Sequence, residues 1–237
     1  MFRFNQFTIA DDRCAQKVGT DGVLLGAWAE LGESRRILDI GTGSGLIALM
    51  VAQRCAEAQV TGVEVVPEAA TQARENAERS PFAERLNIVA SDVRDFQTSQ
   101  LFDCILCNPP FFTEDTLPPD ASRALARHSA LLGFPQLVAA ANRLLTSHGS
   151  FHVILPCSSD KDFVTQCIMS GFVLMRRCLV RTVERKPPQR SLLSLMKCSS
   201  SLESLSFPPA TQEMLTLMDG QGNRSLEYSR LTKDFYL

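Results

Sequence analysis

The chain has 237 residues, 45% of them hydrophobic and 21% charged, with a formal net charge of −2 at pH 7. This balance excludes an intrinsically disordered chain and offers no whole-molecule attraction to a polyanion or a membrane surface. The length suits one α/β domain with additions and is ample for a large core. The longest stretches free of both charged residues and histidine, Ile40–Gln53 and Ser129–Asn142, fall short of the roughly 18 apolar residues of a spanning helix. Asp11 and Asp12 stand where a signal peptide would need its apolar run. A cytoplasmic protein with no membrane segment is expected, with its eight scattered cysteines as buried, reduced thiols rather than a disulfide framework.

In chain order, the alternating start predicts a short hairpin over Phe2–Ala10 and then a helix over Asp21–Leu31; residues 1–34 read as an N-terminal cap on a domain spanning 35–237. From Arg35 onwards, short β-branched or apolar runs alternate with longer segments of helical spacing, the pattern of a parallel sheet covered on both faces. Strands are expected at Arg36–Ile40, Gln59–Glu64, Leu86–Ala90, Phe102–Cys107, Ser150–Pro156, Phe172–Arg181 and Ser191–Lys197. Helices are expected at Gly45–Ala56, Pro67–Arg79, Pro135–Leu145 and Ser159–Met169, with Pro67 at a first helical position and Gly171 as a C-terminal stop. Thr182–Arg190 is too short for a crossover, so the last two strands form an antiparallel hairpin. The Ser/Pro-rich Ser199–Pro209 reads as a surface connection. Cys104 and Cys107 form a C-x-x-C within a strand, where an offset of three points the thiols to opposite faces and away from a common metal; no metal site is expected.

The first chemical signal is Ile37-Leu-Asp-Ile-Gly-Thr-Gly-Ser-Gly45, a buried strand that ends in a glycine loop and opens a helix. Glycines serve where backbone must take positive φ or approach a ligand closely, and the helix behind the loop presents free N–H groups. Glu64 ends the next strand, 23 residues after Gly41, where a carboxylate can accept from both hydroxyls of a ribose. A dinucleotide would satisfy this too, but its G-x-G-x-x-G/A spacing is broken by Leu46, which favours a nucleoside without a pyrophosphate. Asp92, at the end of the third strand, suits either the amino group of that nucleoside's adenine or the cap of the turn Ser91–Asp95.

The second signal is Asn108-Pro-Pro-Phe111 after the fourth strand. Two prolines stiffen the backbone and remove two donors, so the loop presents acceptors, the Asn108 side-chain oxygen and the Pro109 carbonyl. Acceptors are what a planar exocyclic amine needs, since its lone pair becomes nucleophilic only as its N–H groups are held and the nitrogen turns towards tetrahedral. Phe111 offers a face on which to stack a base. Standing alone, such a segment also reads as a proline-rich strand exit.

In this order, Asp39 to Gly45, Glu64, Asp92 and Asn108 to Phe111 resemble the class I S-adenosylmethionine-dependent amino-methyltransferases. Within these, Gln6–Trp28, above all Lys17-Val-Gly-Thr-Asp-Gly22, and the terminal Leu231–Tyr236 resemble the bacterial family that methylates N6 of adenine 37 in a valine tRNA. The resemblance spans nearly the whole chain. It implies a Rossmann-like, seven-stranded, mostly parallel sheet with the last strand antiparallel and helices on both faces. It also implies that Asp39, Gly41, Gly43 and Gly45 hold the methionine part of S-adenosylmethionine, Glu64 its ribose and Asp92 its adenine. Lys17 and Thr20, in a segment that closes the pocket, and Asn108 would join them, and Asn108, Pro109, Pro110 and Phe111 would form the catalytic loop. Transfer between aligned partners about 3 Å apart draws most of its effect from positioning, so no catalytic histidine is required. His148, in an expected turn, and His152, in the fifth strand, read as structural; His128 remains open between a lid and an ordinary helix, and Trp28 reads as core.

An RNA substrate needs positive charge, and the distribution supplies it. Gly171–Cys198 holds seven basic residues against Glu184, a local balance of +6, while the other 209 residues total −8. Arg176, Arg177, Arg181, Arg185, Lys186 and Arg190 surround the last hairpin and, with Arg123 and Arg127, suit a tRNA backbone. The expected partner is therefore tRNA, met by a monomer. The competing reading is an N5-glutamine methyltransferase acting on a protein such as a release factor, whose family uses an N-P-P-Y loop on the same planar-amide logic; in that reading the basic hairpin has no role. A third is a cofactor-binding module without activity, against which the intact Asn108–Phe111 loop argues.

Overall fold

The computed structural model describes residues 1–109, 132–198 and 208–236. Pro110, Phe111, Arg123, Arg127 and His128 lie outside the described residues. Chain order begins with a hairpin of β1 (Phe2–Arg3) and β2 (Thr8–Ile9), followed by α1 (Thr20–Trp28), β3 (Arg36–Ile40), α2 (Leu46–Arg54), β4 (Gln59–Glu64) and α3 (Pro67–Glu78). A 3-10 turn at Ala83–Arg85 leads to β5 (Leu86–Ala90) and β6 (Phe102–Cys107). Then come α4 (Phe134–Leu144), β7 (Leu145–Pro156), α5 (Cys157–Met169), β8 (Phe172–Arg181), β9 (Arg190–Lys197), β10 (Thr211–Thr216) and α6 (Leu226–Thr232).

Among the described residues, eight strands form one sheet in the order β10-β8-β9-β7-β6-β3-β4-β5. β3 to β7 are parallel, β9 is antiparallel to both β7 and β8, and β10 runs parallel to β8. The seven expected strands are all present and the expected hairpin partner β9 is the reversed one. The eighth strand, β10, is a correction. Its sequence Thr-Gln-Glu-Met-Leu-Thr is mostly exposed on an edge, so it lacks the apolar run that marks a central strand. Helix α6 was likewise not expected, and α1 ends at Trp28 rather than Leu31. β7 begins at Leu145, five residues early. An irregularity between its pairings at Leu145 and Ser150 holds His148 at φ 66°, so the expected turn lies inside the strand.

The central strands alternate between two cores, as a period of two requires. Ile37, Cys104 and Leu106 face one cluster with Leu24 and Trp28 of α1 and Leu49 of α2. Leu38, Ile40, Ile105 and Cys107 face the other, with Leu137 of α4 and Phe163 of α5. Cys104 and Cys107 thus point apart as expected, and all eight cysteines are free thiols. α1 lies close on α2 because Gly22 and Gly26 face it: a Cβ at Gly26 would stand 2.8 Å from Met50 Sδ. The N-terminal cap joins the first core through Phe4, Phe7 and Ile9, and Asn5 N donates to Phe235 O at 2.8 Å, tying the two chain ends together. Pro67 opens α3, and Gly171, at φ 84°, follows the end of α5. Among the described residues no helix is long and apolar enough to cross a membrane.

Candidate active site

β3 is flanked by β4 on one side and β6 on the other: the chain runs outward from β3 through β4 to β5 and then crosses back to β6 on the opposite side of β3. In an open α/β sheet this reversal opens a crevice at the carboxyl ends of the strands. Three strand ends meet there: Gly41 after β3, Glu64 closing β4 and Asn108 after β6. The loop after β3 holds Gly41, Gly43 and Gly45 at φ 69°, 56° and 85°, a region that side-chain-bearing residues seldom enter. Gly41 N and Thr42 N donate to Val63 O, and Gly43 N donates to Glu64 Oε2 at 2.9 Å. The other carboxylate oxygen of Glu64 accepts from Val66 N at 2.9 Å, so the side chain is oriented by backbone on both sides.

Asp39 lies beneath the loop, 1% exposed. Thr42 Oγ1 donates to its Oδ2 at 2.6 Å, whereas Oδ1 is buried with no hydrogen-bond partner. Burial pushes this carboxyl up to about 7, against the pull of the Thr42 hydroxyl and the Ala48 amide, with the Glu64 charge adding to the rise. A buried acceptor left open at neutral pH invites a cation or a strong donor.

The cleft itself, about 410 Å³ including its mouth, lies between Gly41–Ser44 and the segment Gln16–Gly19, with Gly22, Leu46, Ile47 and Asn108 completing the lining. Asn108 Oδ1 is likewise a buried acceptor without a partner among the described residues, and Pro109 beside it is buried. Lys17 reaches the cleft, but its Nζ also donates to Asp11 O at 2.7 Å and Asp12 O at 3.2 Å. Thr20 is exposed at the first residue of α1 and is not part of the lining.

Asp92 stands apart from these groups. Its carboxylate accepts from Arg94 N at 2.8 Å, as a turn cap does, and is gripped by the Arg94 guanidinium at 2.5–3.0 Å. The Arg94 hydrogen bonds, chiefly from the side chain, hold its pKa below the ordinary carboxylate range despite partial burial. Val65 and Val66, directly after Glu64, leave about half of their surface open, an apolar edge that their place in the sequence did not single out.

The basic hairpin is arranged differently from what its charge count suggests. Arg176 is paired with Glu213 and Glu30 and lies 4.3 Å from the Trp28 ring centre. Arg177 is paired with Asp160, and Arg190 with Asp21, each at 2.8 Å. Arg181 donates to Thr216 Oγ1 at 2.8 Å and approaches Glu184. Lys197 is spent on the carbonyls of Asn142 and Leu145. Arg185 and Lys186 are exposed on the turn after β8. Because β8 runs with β6 and β7, that turn stands at the same sheet edge as Asn108. His152 is buried in β7 against the edge of the Trp28 ring, and burial brings its pKa down to about 4.

Comparison with known proteins agrees with this architecture. A family model described as a methyltransferase small domain matches residues 18–163. The chain is 41% identical over its whole length, and over 97% of the relative, to a tRNA1(Val) (adenine(37)-N6)-methyltransferase of Phocaeicola vulgatus. A relative of the same name in Actinobacillus succinogenes is 43% identical, again over all of this chain and 97% of its own. Among solved structures, a predicted O-methyltransferase from Agrobacterium tumefaciens shares the fold, with a TM-score of 0.67 at 21% identity over 91% of this chain and 96% of its own. The N-methyltransferase NodS from Bradyrhizobium japonicum, in complex with S-adenosylhomocysteine, gives 0.53 at 16% identity over 73% and 83%. The crevice at the reversal point and full-length likeness lead to one assignment: this chain belongs to the methyltransferase small-domain family and, within it, to the family of the tRNA1(Val) (adenine(37)-N6)-methyltransferases.

Proposed function

We propose that this protein transfers a methyl group from S-adenosylmethionine to the exocyclic N6 amine of an adenine in tRNA, adenine 37 of a valine tRNA by analogy with its relatives. The observation that carries the reading is the buried, unpartnered Asn108 Oδ1 at the end of a central strand, bordering the cleft beside the glycine loop. The cleft suits the cofactor: its loop is free of side chains at three positive-φ positions, and Asp39 Oδ1 offers an open acceptor beneath it. Asp39, Gly41, Gly43 and Gly45, with Lys17 opposite, would hold the methionine part. Glu64, already oriented by two amides, would take the ribose hydroxyls, and Val65 would border the base. Asp92 would reach the adenine amine only by sharing its oxygens with Arg94.

When bound, S-adenosylmethionine supplies an electrophilic methyl carbon. Asn108 Oδ1 and the Pro109 carbonyl accept the two N–H bonds of the target amine, which draws its lone pair out of conjugation and towards the cleft. Pro109 keeps that backbone stiff, and Pro110 and Phe111, next in sequence, would serve as a further stiffener and a stacking face. Held by Asn108 and Pro109, the amine nitrogen would receive the methyl group that the bound cofactor supplies, the S–C bond breaking as the N–C bond forms. The extra proton, now on a positively charged nitrogen, is acidic enough to leave to Asn108 or water, so no strong base is needed. Arg185 and Lys186 would meet the phosphate backbone at the catalytic edge, Arg181 and Arg190 would support that turn, and Arg123 and Arg127 would complete the grip. An adenine in an anticodon loop is already unpaired, which lowers the cost of extruding it. We take the enzyme to act as a cytoplasmic monomer, with residues 1–34 as a cap on the catalytic domain.

The test is transfer of labelled methyl groups from S-adenosylmethionine to total tRNA from a strain lacking this protein, followed by nucleoside analysis. N6-methyladenosine is expected. Label confined to protein would favour the glutamine methyltransferase, and label on guanosine alone would overturn both.

A further inference from the structure

Helix α3 carries two buried side chains to which the chemistry above assigns nothing. Gln72 and Asn76, each 1% exposed, sit four residues apart on a face otherwise built of Ala69, Ala70, Ala73 and Ala77. Amides are tolerated on such a face only when fully bonded. Asn76 Oδ1 accepts from Ala10 N at 2.9 Å, and its Nδ2 donates to Ala10 O at 2.7 Å and to Ser44 O at 2.8 Å. Gln72 Oε1 accepts from Arg13 N at 2.9 Å and from the Cys14 thiol at 3.3 Å, while its Nε2 donates to Asp12 Oδ1 at 2.7 Å.

Residues 10–14 belong to no helix or strand, so these bonds are what moor them to the domain. The mooring is passed on: Val18 N donates to Asp11 Oδ2 at 2.8 Å, and Lys17 Nζ bridges the carbonyls of Asp11 and Asp12. Gln16–Gly19 is one wall of the cleft, and Ser44 belongs to the other. Asn76 therefore bonds Ser44 of one wall and, at Ala10, the segment that leads into the other. Arg13 and Glu75 add an ion pair outside this arrangement, but it is exposed and screened.

We propose that Asn76 and Gln72 are positioning residues that set the affinity of the cleft for its nucleoside cofactor by holding its N-terminal wall against its glycine-loop wall. The proposal rests on reading the cleft as the cofactor site. A wall that is already moored loses little freedom when the ligand binds. One cut loose must be ordered at that moment, and the affinity falls accordingly.

The experiment measures S-adenosylmethionine binding by calorimetry, KM for cofactor and for tRNA, kcat at saturating cofactor, and thermal melting. Asn76→Ala tests the core anchor. Asp12→Ala tests the chain's side of the Gln72 anchor from an exposed position, so that no cavity is opened in the core; the melting temperature reads the cost of leaving Gln72 Nε2 without its acceptor. Thr71→Ala, on the same helix but facing solvent, is the control. Both anchor variants are expected to weaken cofactor binding about tenfold, the scale of one buried hydrogen bond. KM for cofactor should rise to match, while KM for tRNA and saturated kcat stay near wild type. Thr71→Ala should change none of these. Wild-type cofactor affinity in Asp12→Ala, or in a folded Asn76→Ala, overturns the proposal. So does a fall in melting temperature or kcat without a selective rise in cofactor KM. If the wild-type protein itself fails to bind S-adenosylmethionine, the reading of the cleft falls, and the inference with it.

Discussion

The two ends of the sheet treat polar side chains in opposite ways. Around β3, β4 and β6, the structure leaves acceptors open: Asp39 Oδ1 and Asn108 Oδ1 are buried without partners, and three glycines hold positive φ beside them. Around β8, β9 and β10, the charges are spent internally, Arg176 on Glu213 and Glu30, Arg177 on Asp160 and Arg190 on Asp21. Unmet hydrogen-bonding capacity is costly. Among the described residues it also occurs at Gln53, His152, Gln166 and Arg177, but of all these atoms only Asn108 Oδ1 belongs to a residue lining the cleft, where a ligand can supply the partner. A run of arginines, by contrast, can be a device for holding strands and cap together. Charge density in sequence is therefore the weaker guide to a binding surface, and an orphaned buried acceptor on a residue that lines a cleft the stronger.

The sharpest way to break this contrast is at Asn108. Asn108→Ala should lower kcat by about 10²- to 10³-fold, the cost of removing one pre-placed polar group at a reacting centre, while calorimetry still detects cofactor binding. Unchanged turnover would mean that the open acceptor is an accident of packing.

The next largest effect concerns two buried titratable groups with opposite senses. The folded His152 sits at about 4, below its ordinary 6.5. Its contribution to stability is complete above pH 6.5 and is lost as the pH falls towards 4, up to about 3 kcal/mol. His152→Phe should flatten the acid limb of a stability curve measured by denaturant unfolding from pH 7 to 4. Asp39, raised to about 7, runs the other way: ionising it costs stability as the pH rises from its unfolded value through 7. A cofactor ammonium favours the carboxylate, so affinity should climb with pH up to about 7 and level off above. Calorimetry at pH 6.5 in buffers of different ionisation enthalpy should register proton release, which Asp39→Asn should abolish.

Smaller effects test the basic end. Arg176→Ala removes two ion pairs and the contact with Trp28, and should lower the melting temperature by roughly 3–6 °C, about 1–2 kcal/mol, without altering the salt dependence of tRNA binding. Arg185→Ala or Lys186→Ala should do the reverse, leaving stability unchanged while reducing the slope of log K against log salt by about one each. If the paired arginines and the exposed turn behaved alike, the division between the two ends of the sheet would be wrong.

Much of this was legible beforehand because it depends on local chemistry. β3 and β6 are apolar runs buried on both faces, so their boundaries followed from their own residues, whereas β7 starts five residues before its expected first residue. Gly41, Gly43 and Gly45 marked the positive-φ loop after β3, because glycine enters that region at no steric cost. The misses share a cause. β10 is an exposed edge strand whose identity comes from pairing with β8 rather than from its own residues. Gln72 and Asn76 fall on the buried face of α3, a signal present as two amides at a spacing of four among alanines, but their partners lie some 30 to 66 residues away.

By itself, the sequence determined the parallel sheet, its reversed strand, the glycine loop and the family resemblance, all of which depend on residue types at short spacing. Only the tertiary structure decided which charges are free. Whether Arg176 or Arg185 is available to RNA turns on carboxylates as distant as Glu30 and Glu213, and a Coulomb interaction depends on separation in space, which chain order does not convey.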